Sequence, residues 1–284
     1  MLKLSPVDVL IFGDGKPFNA SEQNFREFKF FINPVPLVSA FNKLTKEDHN
    51  ISFVAFVKND KLLFKTPVDI KKLDNRIITP KLRRIIKDEY VSSLGSLEYI
   101  LDYHTDEKLA SPEAFMAEDG FKKYLLGELD ENQKDEYFLS VFSLEDRVGI
   151  SIDRSSRATK EGYLYLESFL RFYEDIGIVV DFEKSLDLKY IMLGGESKIS
   201  KVDSINVDQE KKFEDIKDKI KNKVEKTGFF KIVLLTPSND IPEIKGAKLH
   251  IQQSSDILVY SSWFNLYEND KKKSSYPSRI YRLI

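Results

Sequence analysis

Four stretches of this 284-residue chain carry side chains suited to holding or attacking a phosphate. Gly13-Asp14-Gly15-Lys16 has the small residues and the lysine of a phosphate cradle. It lacks the spacing of a Walker loop or a dinucleotide fingerprint, and a turn is the simpler account. Gly194-Gly195-Glu196-Ser197 has the Gly-Gly-acid form found where two metals are held. Two-metal chemistry needs several convergent carboxylates, and here Ser197 stands where a second acid would help. No metal is expected there, but glycines let a phosphate come close to the backbone. His49, His104 and His250 are candidates for acid or base in metal-independent RNA cleavage. Their spacing gives no reason for the three to meet. The last stretch is Arg154-Ser155-Ser156-Arg157-Ala158-Thr159-Lys160, a polar turn whose cations and hydroxyls suit phosphates and 2′-hydroxyls. A solvated hairpin tip explains the same residues, and the residues alone leave both readings open. Lys271-Lys272-Lys273 reads as a solvated loop.

The elements that must position these residues read as mixed strand and helix. Leu2 to Phe12 predicts a strand. Asn33 and Pro34 predict a helix start, with Leu37, Ala40, Phe41 and Leu44 on one face. Ile51 to Val57 and Leu62 to Thr66, joined by Lys58-Asn59-Asp60, predict a hairpin. Strand, helix and hairpin open a ferredoxin-like unit. Asp74 to Glu136 is charged and reads as helical pieces, an insertion between core strands, with a helix starting at Ser111-Pro112-Glu113 and one ending at Leu125-Leu126-Gly127. Strands follow at Tyr137 to Phe142, Arg147 to Ile152 and Tyr163 to Tyr173, and Ile176 to Phe182 pairs back on the last. Apolar groups on both faces of that ribbon predict packing between two layers. Gln209 to Lys226 is the clearest helix, with Phe213, Ile216, Ile220 and Val224 as its stripe and Gly228 closing it. Phe229 to Leu235 predicts a buried strand, and Leu249 to Gln252, Ile257 to Trp263 and Arg279 to Ile284 predict more. The simplest account is an α+β chain of two ferredoxin-like (RRM-like) domains, 1–205 with the insertion at about 74–136, and 206–284.

Composition narrows the chemistry. With no cysteine there is no disulfide, thiol nucleophile or cysteine-bound metal. No cofactor is expected. The 21 Phe and 13 Tyr supply an aromatic core with rings to spare for stacking. A net charge of −2 disfavours unaided binding of nucleic acid, so any RNA contact needs a local basic patch and help from partner subunits. The N-terminal stretch is too short and polar for a signal peptide, and no apolar run is long enough to span a bilayer. A cytoplasmic protein without a membrane partner is expected.

Several segments, in order, resemble one known family. Leu4 to Phe18 is similar to its strand and turn "PxDxLxFRDGKPF", with Gly13 where that family has arginine. Asn33 to Phe41 resembles its "PPPSTLAGAL" helix start, with Val and Ser at the small-residue positions. Lys58 to Ile70 resembles its hairpin and "FPxPxD" exit, and Gly120-Phe121 with Tyr124 to Glu128 a helix end in its insertion. Arg147 to Tyr165 is the nearest match, and Leu193 to Glu196, Leu234 to Pro237 and Trp263 also fit. The family is the Cas5-like RAMP subunit, the third subunit, of the Cmr (type III-B) CRISPR effector complex.

The resemblance implies two facing ferredoxin-like folds and a binding role without catalysis. It implies that the 5′ repeat-derived tag of the guide RNA is held, and that the chain docks to the large polymerase/cyclase-like subunit and to a backbone RAMP subunit in an antiviral ribonucleoprotein. The expected RNA-binding residues are Lys16, Arg154, Arg157, Lys160, Gly194, Gly195, Ser197 and Lys198. The competing expectation is a metal-independent endoribonuclease of the same superfamily that processes repeat RNA with one of the histidines.

Overall fold

The computed structural model describes residues 1–12, 24–26, 34–74, 76–86, 98–112, 115–129, 137–182, 187–206, 209–235, 244–251, 257–268 and 271–282. In chain order the elements are β1 (Leu2–Pro6), β2 (Val9–Leu10), β3 (Asn24–Arg26), α1 (Pro34–Thr45), β4 (Ile51–Lys58), β5 (Lys61–Lys65), β6 (Lys71–Leu73), β7 (Arg76–Ile78), β8 (Lys81–Arg84), β9 (Tyr99–Asp102), β10 (Phe115–Ala117), α2 (Glu118–Leu126), β11 (Phe138–Leu139), β12 (Phe142–Ile152), β13 (Thr159–Phe172), β14 (Ile176–Phe182), β15 (Tyr190–Met192), a 3₁₀ turn (Gly195–Ser197), β16 (Ile199–Ser204), α3 (Gln209–Thr227), β17 (Ile257–Glu268) and β18 (Lys271–Arg282). The result is a mixed α+β chain with mostly antiparallel sheets. It divides into two compact units, one of residues 1–63, 140–207 and 258–281, the other of 64–139, 208–257 and 282–284.

The first unit is organised around β14. Its residues Ile176 to Val180 are buried without alternation, as expected of a strand covered on both faces. It pairs antiparallel with β1 on one side and β4 on the other, not with β13 as its sequence neighbourhood predicts. β16 and β15 extend the sheet beyond β1. The β4–β5 hairpin turns at Asn59 and Asp60, both left-handed at φ 47° and 62°, the geometry that a two-residue hairpin loop requires. α1 buries Leu37 and Phe41, one helical turn apart, and Phe41 meets Phe182 with ring centroids 4.2 Å apart. Leu44, expected on the same face, is exposed. The helix start at Asn33 lies outside the described residues.

Leu2 to Phe12 is not one strand. After Pro6 the chain leaves the first sheet, and Val9 and Leu10 join a second one against β13. This second sheet contains the long β12–β13 ribbon, paired from Phe142↔Phe172 to Ile152↔Thr159 with an irregularity after Ile150. Glu145, Arg147 and Gly149 share a face of β12, as alternation demands. The opposite face carries Leu144, Val148, Ile150 and Ile152, all about half-exposed or more.

The second unit corrects the helical reading of 74–136. Its described part is built largely of loops and short strands, β6 with β7 and β8 with β9. α2 is the helix found there, beginning at Glu118, well past Ser111-Pro112-Glu113. It ends where expected: Gly127 is left-handed at φ 65°, and its N–H caps the carbonyls of Lys123 and Tyr124. α3 packs on α2 through Phe213 against Phe121, while Phe64 stacks on Phe121 with centroids 4.6 Å apart. Residues 229–235 are not a buried strand: Phe229, Phe230 and Ile232 are all more than 40% exposed. Residues 247–251 form no strand either, whereas β17 and β18 pair as a hairpin.

Candidate nucleic-acid interface

The β12–β13 ribbon carries most of the expected basic residues. At its tip Asp153 shapes the turn. Its carboxylate accepts hydrogen bonds from the N–H groups of Ser155 (2.8 Å) and Ser156 (3.0 Å) and from the Ser155 hydroxyl. These bonds hold its carboxyl well below the usual range, down to about 2. The Asp153 and Arg157 backbones close the loop, with Arg157 left-handed at φ 55°. The aspartate charge is thus occupied by the turn itself. Arg154 and Arg157 are exposed, and neither has a carboxylate partner among the described residues. Lys160 follows on β13. Lys16 lies outside the described residues.

Farther along the ribbon a second basic group surrounds one ring. Phe169 is buried with Val9 and Ile11. The Arg147 guanidinium lies 4.8 Å and the Lys198 ammonium 5.1 Å from its ring centroid, within cation–π range. Ile152, where β12 ends, is five residues from Arg147, roughly 17 Å along an extended strand. The basic residues are therefore laid out along a track and not gathered into a pocket.

Lys198 is set in place by the glycine turn. Gly194 is left-handed at φ 77°, and a Cβ there would lie 2.3 Å from the Ile11 carbonyl oxygen. The Gly195 N–H donates to that same carbonyl at 2.9 Å, and the Leu193 N–H donates to the Lys198 carbonyl at 2.7 Å. The Gly195 N–H is thus committed inside the protein and does not face a phosphate. Glu196 and Ser197 are left-handed as well, at φ 56° and 51°. Such backbone in residues other than glycine costs about 1–3 kcal/mol each and persists only where its surroundings enforce it. Glu196 reaches Lys198 at 3.3 Å, and Ser197 is exposed.

Sequence reasoning missed the residues that complete this region. Arg147 and Arg171 both grip Glu145: Arg147 Nη2 lies 2.6 Å from Oε1, and Arg171 Nη2 lies 2.5 Å from Oε2. Both also face Asp8, at 3.7 Å and 3.2 Å. The two guanidiniums, Arg171 first, hold the Glu145 carboxyl below its ordinary value, and Glu145 raises that of Arg171. The signal available was the i, i+2 spacing of Glu145 and Arg147, which lie opposite Phe169 and Glu167 on β13, with Arg171 diagonal to Glu145.

The three histidines have three separate sets of partners. His49 is buried, its Nε2 2.7 Å from the Thr45 hydroxyl and its ring edge-on to Phe182. His104 is exposed, 3.6 Å from Asp102. His250 packs on Tyr99 and lies 3.8 Å from Glu98. Among the described residues no group of His, Asp and Glu has the arrangement of a metal site.

A model of the family described as CRISPR-associated protein (Cas_Cmr3) matches residues 2–251. The chain belongs to the Cmr3 family. A stretch of 75 residues is 36% identical to the CRISPR system CMR subunit Cmr3 of Saccharolobus solfataricus, covering 24% of this chain and 24% of that protein. The match thus spans about a quarter of the curated relative. Two solved chains are similar at low identity. One comes from a cryo-EM structure of the Type III-B Cmr-beta bound to cognate target RNA and AMPPnP, with 17% identity, TM-score 0.44, and 73% of this chain and 63% of that one covered. The other comes from the same assembly bound to cognate target RNA, with 14% identity, TM-score 0.48, and coverage of 100% and 84%. No helix among the described residues is long and apolar enough to cross a membrane.

Proposed function

We propose that this Cmr3-family chain is a non-catalytic subunit of a type III-B Cmr ribonucleoprotein, holding the 5′ repeat-derived tag of the guide RNA for antiviral defence in the cytoplasm. In this reading it is a Cas5-like RAMP protein of two ferredoxin-like domains. It docks the large polymerase/cyclase-like subunit and a backbone RAMP subunit, and uses neither metal nor cofactor. The supporting observation is the ribbon tip. Arg154 and Arg157 project from a turn in which Asp153 is occupied by backbone and hydroxyl donors. Cations without an internal partner are free to neutralise phosphates, and Lys160 and Lys16 add to them. Lys198 and the Ser197 hydroxyl extend the track. Gly194 and Gly195 serve it by seating that turn on Ile11. Unpaired tag bases are then read by their edges and by stacking.

The test is the double substitution Arg154→Glu and Arg157→Glu in the assembled complex. Guide RNA per complex should fall by more than half, with protein stoichiometry unchanged. Wild-type guide content in that variant would refute the reading.

A further inference from the structure

The cations of this region differ in one respect. Among the described residues, Arg154 and Arg157 at the tip have no carboxylate partner, whereas the cations around Phe169 each face one or two. Arg147 and Arg171 alternate with Asp8 and Glu145 in a closed ring of ion pairs. Lys198 is held by Glu196, which sits in a left-handed backbone conformation one residue after the fixed Gly195. Each of these three cations therefore faces at least one carboxylate, and Glu167, opposite Arg147 in the ribbon, adds a buried fourth acid. Asp8 and Glu196 are about half-exposed, at 52% and 47%, and Lys198 and Arg147 lie within about 10 Å of each other across the Phe169 ring.

We infer that Asp8 and Glu196 are specificity residues: they occupy the Arg147, Arg171 and Lys198 cations in the free chain and so suppress binding of RNA that lacks the cognate tag. This rests on the RNA-binding reading above. A phosphate takes the carboxylate-facing donors of these cations only by displacing a carboxylate. Generic RNA gains about as much from that exchange as the chain loses. A cognate segment, anchored first by Arg154 and Arg157 and positioned by its bases, brings a phosphate to the site at high effective concentration and completes the exchange.

The experiment is filter binding of the full-length chain to oligouridylate and to a tag-bearing oligonucleotide across a salt series. The variants are Asp8→Asn and Glu196→Gln, with Asp60→Asn at the β4–β5 turn as the control for net charge. Each of the first two should tighten oligouridylate binding by about two- to fivefold beyond the control, the range of an exposed ion pair. Each should also steepen the salt dependence by about 0.7 in the log–log slope, one more phosphate contact to a single strand. Tag binding should change less, so the ratio of the two affinities falls. If wild type prefers the tag and both variants bind oligouridylate no better than Asp60→Asn, this inference falls and the tag-binding reading stands. If no form of the chain prefers the tag, this inference falls, and the tag-binding reading is decided by guide content in the assembled complex.

Discussion

Gly194→Ala separates a structural role for the glycine pair from a phosphate-approach role. At φ 77° an L-residue pays roughly 1–2 kcal/mol for left-handed backbone. The added Cβ would also lie 2.3 Å from the Ile11 carbonyl oxygen, a backbone atom that accepts the Gly195 N–H and cannot simply rotate away. Overpacking of this kind costs about 1–3 kcal/mol more. The sum is on the order of 3 kcal/mol, and at about 2–4 °C per kcal/mol the melting temperature should fall by roughly 6–12 °C. Gly195→Ala is the matched comparison. Its Cβ would meet the flexible Ile11 Cγ2 at 3.0 Å, with no positive φ, so the expected fall is under about 3 °C. Thermal melts followed by far-ultraviolet circular dichroism decide it. If Gly194→Ala melts with wild type yet loses RNA, the close approach to Ile11 is not what the glycine is for, and the reasoning fails.

Other perturbations test the electrostatics. Tyr124 donates to Asp69 at 2.7 Å and accepts from Lys231 at 3.1 Å; burial and the Asp69 charge raise its pKa well above the ordinary value. The folded chain keeps a proton that the unfolded chain loses above about pH 10, so this contribution is complete below pH 10 and declines above it. Tyr124→Phe should cost about 1–2 kcal/mol in urea denaturation at pH 7 and flatten the loss of stability between pH 10 and 11. At the ribbon tip the depressed pKa of Asp153 works in the opposite sense. Ser155 and Ser156 amide protection should persist at pH 4, fall as the pH approaches 2, and be absent at pH 7 in Asp153→Ala, all read by amide exchange.

The parts of the fold that the sequence discloses are those with local causes. The β4–β5 hairpin follows from alternation and two residues that accept left-handed backbone, and α3 from a 3.6-residue stripe over nineteen residues. The short strands between 71 and 102 are three or four residues each, with charged and apolar residues in no set order, such as Lys81-Leu82-Arg83-Arg84. No period can establish itself over that length. The 229–235 run misled for the opposite reason: continuous apolar character marks burial, but burial depends on a partner that the run does not name. In the site, the tip arginines and the glycine turn are contiguous in sequence and were visible as such. The ion-pair ring was not. It joins Glu145 to Arg171 across 26 residues and Asp8 to Arg171 across 163, through a register that only the folded ribbon sets.

That ring bears on the net charge of −2, which by composition argues against gripping RNA alone. Total charge is a poor guide where cations differ in what holds them. In the proposed reading, Arg154 and Arg157 are available to an approaching phosphate at once, whereas Arg147, Arg171 and Lys198 give their carboxylate-facing donors only when a carboxylate gives way. Such a surface would be weak toward RNA in general and would strengthen as a segment became positioned, as the proposed assembly with partner subunits would position it. Weak solitary binding and firm binding in a complex would then follow from the same ion pairs, without any change in the fold.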